Sequence, residues 1–212
     1  MLLITIILLI IFIFNLILYW ILLLKVKDKE RKSVKVFYKL FPLIWTLSIV
    51  PIPIINSSFL ILYFPNNFSY FQQYWIFFAL FGITLIIIGI NFAKRARKVY
   101  KVKAIDETSS KLTTKGIFKL IRHPIYSAWG IIFLGAAIIS DSFICLLVSP
   151  LVLIMLEIHA MLEEKLILIP NYGKSYEDYK RKTPNRIIPA PMNLLLIIMA
   201  LIIAYIGFLN FN

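Results

Sequence analysis

Six long apolar runs set the terms for this chain, covering residues 2–24, 41–64, 74–92, 125–139, 143–162 and 192–211. A hydrocarbon core of about 30 Å takes roughly 20 apolar residues per helix, and each run approaches that length. Backbone amides in lipid must be satisfied within their own segment, so the expected fold is all-α: a polytopic transmembrane bundle of six spans. The 61% share of hydrophobic residues fits a bilayer rather than water. The second run carries Pro51, Pro53 and the polar triplet Asn56, Ser57 and Ser58. It reads as a kinked span, or as a span ending near Ile55 followed by an interfacial piece.

A net charge of +13 would suggest nucleic acid in a soluble protein, but the positions of the charges argue otherwise. All 23 lysines and arginines fall within 25–39, 94–122 and 165–186. Six spans put these three basic segments on one side and the uncharged connections on the other, as the positive-inside rule requires with both termini outside. The charge therefore orients the protein and attracts anionic headgroups, and no nucleic-acid partner is expected. The first run has no basic leader and is expected to stay in the membrane. A single cysteine, Cys145, leaves no internal disulfide and no CxxC site.

Polar chemistry gathers at the basic face. The connection after the third run is long enough to do work. Within it Thr113, Thr114 and Gly116 read as a turn leading into a short helix, a place where backbone N–H groups favour an anion. Arg122 and His123 then precede Pro124, whose ring holds His123 extended and suits the first turn of the fourth span. The fifth run carries Glu157, His159, Glu163 and Glu164 at its cytosolic end. Glu157 and Glu164, seven positions apart, share one helix face with Ala160 between them. An ionisable group inside a span is a functional candidate, whereas His159 points away from Glu164 and reads as a satisfied interhelical group. No metal-ligand spacing, GxSxG elbow, GxGxxG or P-loop is present. Beyond the glutamates, Tyr172, Tyr176 and Tyr179 alternate with charges before Pro184, Pro189 and Pro191, suggesting a flap built on an amphipathic helix over 174–182.

The stretch TTKGIFKLIRHPIYSAWG, followed after one span by EEKLILIPNYGKSYEDYKRKTPNRIIP, resembles the superfamily of isoprenylcysteine carboxyl methyltransferases and phospholipid methyltransferases. The resemblance covers residues 103–189 and rests on RHPxY combined with the paired glutamates and G-x-x-Y-x-x-Y. It implies a cytosolic cofactor-binding loop, a C-terminal flap, and S-adenosylmethionine held without a Rossmann domain. Hydropathy and the resemblance together lead to an expected organisation of 1–93 as N-terminal transmembrane helices 1–3 with a basic cytosolic loop, 94–191 as the catalytic methyltransferase region, and 192–212 as the last transmembrane helix.

Carried over by motif, the cofactor contacts are Ser110, Lys111, Leu112 and Thr113 in the loop, Phe118, then His123, Pro124, Ile125 and Tyr126, and Glu164. Lys103 aligns with a further polar contact of different residue type. Arg122, Glu157 and Glu164 are the catalytic candidates, with Glu157 placed for an amine acceptor. The implied partner is a membrane lipid or lipid-like methyl acceptor. The prenylcysteine enzymes carry an arginine four residues before the cofactor glutamate, associated with the substrate carboxylate; Ala160 stands there in this chain. An NADPH-dependent reductase of the sterol type and a non-catalytic membrane scaffold are the competing readings.

Overall fold

A computed structural model describes residues 2–24, 47–55, 75–105, 112–140 and 143–188, with isolated positions 194, 198 and 201. The described residues are helical and contain no strand. Helix α1 spans Leu2–Leu24, α2 Pro51–Ile55 and α3 Trp75–Ile105. A 3₁₀ turn, Gly116–Lys119, leads to α4, Pro124–Ser140, and then α5, Phe143–Glu163. A π turn, Glu164–Leu168, continues α5 into the short α6, Ile169–Tyr172, and Gly173 separates that from α7, Lys174–Lys182.

Two segments, Leu3–Ile21 in α1 and Ile76–Val99 in α3, are long and apolar enough to cross a membrane. Both expose large apolar side chains along their length, among them Ile10, Phe14, Phe77 and Leu80, a surface that lipid solvates without cost. Helix α4, also apolar, is instead mostly buried among the others. The second and sixth apolar runs lie largely outside the described residues.

Small residues bring α3 and α4 together. A Cβ on Gly82 would stand 2.7 Å from the Gly135 carbonyl oxygen, one on Gly135 2.6 Å from that of Gly82, and one on Gly89 2.9 Å from that of Ala128. The helices thus meet backbone to backbone, the packing expected where lipid gives no hydrophobic drive for association. Helix α3 runs well past the third apolar run, 74–92. Its extension through Lys94, Arg95, Arg97 and Lys98 uses good helix formers without glycine or proline, and Ala96 on it is fully buried. That buried face packs with Ile117, Phe118, Tyr176 and Tyr179 in a separate cluster at one end of the bundle.

The π turn has a local cause. Pro170 lacks an N–H and its ring crowds the carbonyl four residues back, so the helix widens just upstream instead of continuing regularly. The widening begins at Glu164, so α5 keeps its regular phase through Glu163.

Candidate functional site

The segment ending in RHP is clamped by the chain that returns after α7. The backbone N–H of Arg122 donates to the Asn185 carbonyl at 3.0 Å and that of His123 to Arg186 at 2.8 Å. Side chains reinforce the pairing: the Tyr179 hydroxyl donates to the Phe118 carbonyl at 2.6 Å and the Thr183 hydroxyl to Lys119 at 3.3 Å. Gly116, at a φ of +62°, makes the turn from which the 3₁₀ helix starts, a conformation that costs glycine little. Pro124 opens α4 as expected, leaving His123 just outside the helix.

Arg122 is at the centre of this clamp. Its guanidinium donates through Nε to Glu164 Oε1 at 2.8 Å and through one terminal nitrogen to the carbonyls of Thr183 at 2.6 Å and Pro184 at 2.8 Å. Arg122 and Glu164 side chains are each only 3% exposed, so this is a buried, hydrogen-bonded ion pair. Arg186 closes the other side, contacting Glu157 and lying with its Nε 3.3 Å from Glu164 Oε2. One arginine thus touches both members of the Glu157 and Glu164 face.

The two neighbouring glutamates grip opposite edges of one imidazole. His123 Nδ1 lies 3.3 Å from Glu163 Oε2 and its Nε2 3.2 Å from Glu164 Oε1. Burial disfavours the charged imidazole, but the hydrogen bonds and charges of Glu163 and Glu164 outweigh it and raise the His123 pKa above the ordinary 6.5. Burial likewise works against both carboxylates, and is overcome at Glu163 by His123 and at Glu164 by His123 and Arg122, so both are held below the usual range.

These shifts fix a pH dependence. His123 binds its proton more tightly in the folded protein, so its contribution is complete below pH 6.5 and is lost as pH rises through its raised folded value. The glutamates contribute above 4.5 and lose that contribution as pH falls through their lowered values. Thermal stability in detergent is therefore expected to peak between these limits and to fall as pH rises above about 6.5, with His123→Gln flattening the alkaline decline. An unchanged alkaline decline in that variant would remove the histidine from this role.

A cavity of about 310 Å³ opens beside the clamp. Of the residues singled out in the sequence, Leu112, Thr113, Phe118, Arg122, His123, Pro124, Ile125 and Tyr126 all line it. Tyr126 stacks on His123, with ring centroids 5.4 Å apart and planes 8° from parallel, and its hydroxyl donates to Glu163 at 2.9 Å. Glu164 is turned toward Arg122, His123 and Arg186, and the wall position is taken by Glu163. Glu157 stands outside this cavity, in a neighbouring cleft of about 720 Å³ that it shares with Arg122 and Arg186. Ser110, Lys111 and the Lys103 side chain lie outside what the structure describes.

Sequence reasoning passed over Tyr172, Tyr176 and Tyr179 as site residues, although all three line the cavity. The i, i+3 spacing of Tyr176 and Tyr179 was the available signal, since it puts two rings on one face of the 174–182 helix, whereas Tyr172 belongs to the helix before Gly173. His159 is satisfied between helices, as expected: it meets the Trp20 indole at 3.2 Å and the Tyr126 hydroxyl at 3.1 Å.

Fold and site together define a helical, lipid-compatible protein with a small aromatic and ionisable pocket at one end of its bundle. Residues 75–175 match the phospholipid methyltransferase family. The chain is 34% identical over 76 residues to a Schizosaccharomyces pombe protein-S-isoprenylcysteine O-methyltransferase, across 36% of this chain and 32% of that one. It is 26% identical to an Arabidopsis thaliana protein-S-isoprenylcysteine O-methyltransferase B, across 59% and 64%. It is 28% identical to a methanethiol S-methyltransferase from Crocosphaera subtropica, across 70% and 45%. No solved structure matches the chain. The family match and the three named relatives support the membrane methyltransferase superfamily of isoprenylcysteine carboxyl methyltransferases and phospholipid methyltransferases. The chain spans less than two thirds of the length of each of these three relatives.

Proposed function

We propose that this protein is a membrane methyltransferase that takes its methyl group from S-adenosylmethionine and delivers it to a lipophilic amine or thiol. The observation that carries the reading is the gathering of Leu112, Thr113, Phe118, His123, Pro124, Ile125 and Tyr126 around one cavity. Its chemistry suits the donor. Phe118, Tyr126, Tyr172, Tyr176 and Tyr179 offer π faces to a cation and walls to an adenine, and Glu163 offers a carboxylate to an ammonium or ribose hydroxyl.

When bound, S-adenosylmethionine supplies a methyl carbon on a positively charged sulfur, which an acceptor lone pair displaces in line. The residues of the chain have the remaining tasks of alignment and water exclusion. The flap, tied across the RHP segment by Tyr179, Thr183 and the backbone pairs, shields the cavity on one side. Arg122 and Glu164 hold that flap and the histidine in register.

The acceptor class follows from the pairing of the arginines. A carboxylate acceptor needs an available cation; among the described residues Arg122 is bound by Glu164 and two carbonyls and Arg186 by Glu157 and Glu164, while Lys180 and Arg181 line the neighbouring cleft and not the cavity. Ala160, fully buried, supplies no replacement. A thiol or an amine requires no guanidinium, and each releases one proton on transfer; Glu157 lines the neighbouring cleft, where it is paired with Arg186.

The test is to incubate the purified protein and a native lipid extract with methyl-labelled S-adenosylmethionine and identify the labelled product by mass spectrometry. Label in an N-methyl or S-methyl lipid is expected. Label in a base-labile methyl ester would overturn the acceptor class, and no transfer to any lipid or thiol would overturn the methyltransferase reading.

A further inference from the structure

The hydrogen bonds leading into the cavity from α1 have a definite direction. The Trp20 indole N–H is a donor only, so His159 Nδ1, 3.2 Å away, must accept and carry no proton. A neutral imidazole then bears its hydrogen on Nε2, which faces the Tyr126 oxygen at 3.1 Å. With a lone pair of that oxygen engaged, the phenolic proton is directed at Glu163 Oε2, 2.9 Å away. The opposite tautomer would set two N–H groups against each other at Trp20. Tyr19 packs on the same imidazole, with ring centroids 4.7 Å apart, and limits its rotation. Tyr126 and Glu163 are walls of the cavity, whereas Trp20 and His159 do not line it.

From this geometry we infer that Trp20 is a positioning residue for the ligand cavity: by selecting the Nε2–H tautomer of His159 it aims the Tyr126 hydroxyl at Glu163. Helix α1 lies outside the stretch that matches the family, residues 75–175, and nothing in that match assigns it a part in the site. The consequence is that the first helix, 139 positions from its histidine partner, sets the polarity of two cavity groups. Without the indole proton, His159 can present either nitrogen as donor. In its other tautomer it would accept the Tyr126 proton and draw it away from Glu163.

The experiment has two arms, of which only the second rests on the methyl-donor reading. The protein has two histidines, so ¹⁵N-histidine labelling in detergent, with His123→Gln to assign the peaks, reads each ring directly. Wild-type His159 is expected to show an unprotonated Nδ1 and a protonated Nε2 in the absence of any ligand. Trp20→Phe, and replacement of Trp20 by benzothienylalanine, which keeps the bicyclic shape but has no N–H, are both expected to mix the two tautomers.

In the second arm the same two variants are expected to bind S-adenosylhomocysteine roughly three- to tenfold more weakly, the size of one neutral hydrogen bond. A purely packing role for Trp20 would spare the benzothienylalanine protein in both arms, and that result overturns the inference. So does a wild-type His159 protonated on Nδ1, or a tautomer shift with unchanged binding. Absence of S-adenosylhomocysteine binding by the wild type would instead overturn the donor reading, and the nitrogen shifts would still decide the direction of the chain from Trp20.

Discussion

Arg122→Leu is expected to lower the stability of the protein by about 3–5 kcal/mol, the cost of breaking a buried ion pair from one side. The guanidinium satisfies Glu164 and the carbonyls of Thr183 and Pro184, all within the clamp that ties the flap to the RHP segment. Removing it takes the guanidinium from a carboxylate that is almost fully buried, leaving it His123 and Arg186, and leaves two carbonyls without their donor. Lysine would not repair the damage, because a single ammonium cannot span a carboxylate and two carbonyls in the planar geometry the guanidinium uses. Thermal or denaturant unfolding in detergent gives the number. The double variant Arg122→Leu, Glu164→Leu is expected to cost less than the sum of the two single changes, since it removes the buried charge together with its partner. Strict additivity would show that the two side chains do not act as a pair.

Glu163→Gln is expected to weaken binding of S-adenosylhomocysteine by roughly 10- to 100-fold, the range for a charge-assisted hydrogen bond, with a smaller loss of stability than Glu164→Gln. Glu164→Gln is expected to do the reverse. The distinction comes from where each carboxylate faces. Glu163 lines the cavity, receives the Tyr126 hydroxyl and holds one edge of His123. Glu164 looks inward to Arg122, His123 and Arg186 and works as part of the clamp. Isothermal titration with the product cofactor, run beside a melting curve for each variant, separates the two effects. Equal losses of affinity with intact stability in both variants would put Glu164 in the cavity wall after all.

That reversal of neighbouring glutamates marks what the sequence could and could not convey. The spacing of Glu157 and Glu164 located a shared face correctly, and Arg186 does contact both. Which of Glu163 and Glu164 reaches the cavity depends on how the end of α5 is seated against the RHP segment and the returning chain, tertiary contacts that a helical wheel drawn at 100° per residue does not contain. Pro124 as the first residue of α4 and the helix Lys174–Lys182 were both readable, because proline placement and charge amphipathicity are local signals. The burial of Tyr176 and Tyr179 against Ala96 and Phe118 was not, since it depends on α3 extending beyond its apolar segment. The bond from Trp20 to His159 is the extreme case, a single contact between distant parts of the chain that no local pattern announces. The second and sixth apolar runs, counted as spans in the sequence, fall largely outside the described residues.

The arrangement also explains why a methyltransferase site can be built here without a glycine-rich nucleotide loop. A donor with a sulfonium, an ammonium and an adenine can be met by aromatic faces and one well-oriented carboxylate, and the cavity collects both. Three cations, Arg122, Arg186 and protonated His123, stand against the carboxylates of Glu157, Glu163 and Glu164 in the surrounding cluster. With the histidine protonated, the charges of the cluster balance and hold its geometry without excess charge at the cavity.

The most direct measurement is equilibrium binding to the purified wild-type protein in detergent of labelled S-adenosylmethionine and, in parallel, of NADPH, repeated with Tyr126→Ala. Saturable binding of S-adenosylmethionine that is lost in the variant, with no binding of NADPH, is the expected result. Saturable NADPH binding in place of S-adenosylmethionine, or S-adenosylmethionine binding that survives intact in Tyr126→Ala, would contradict the assignment of this cavity to the methyl donor.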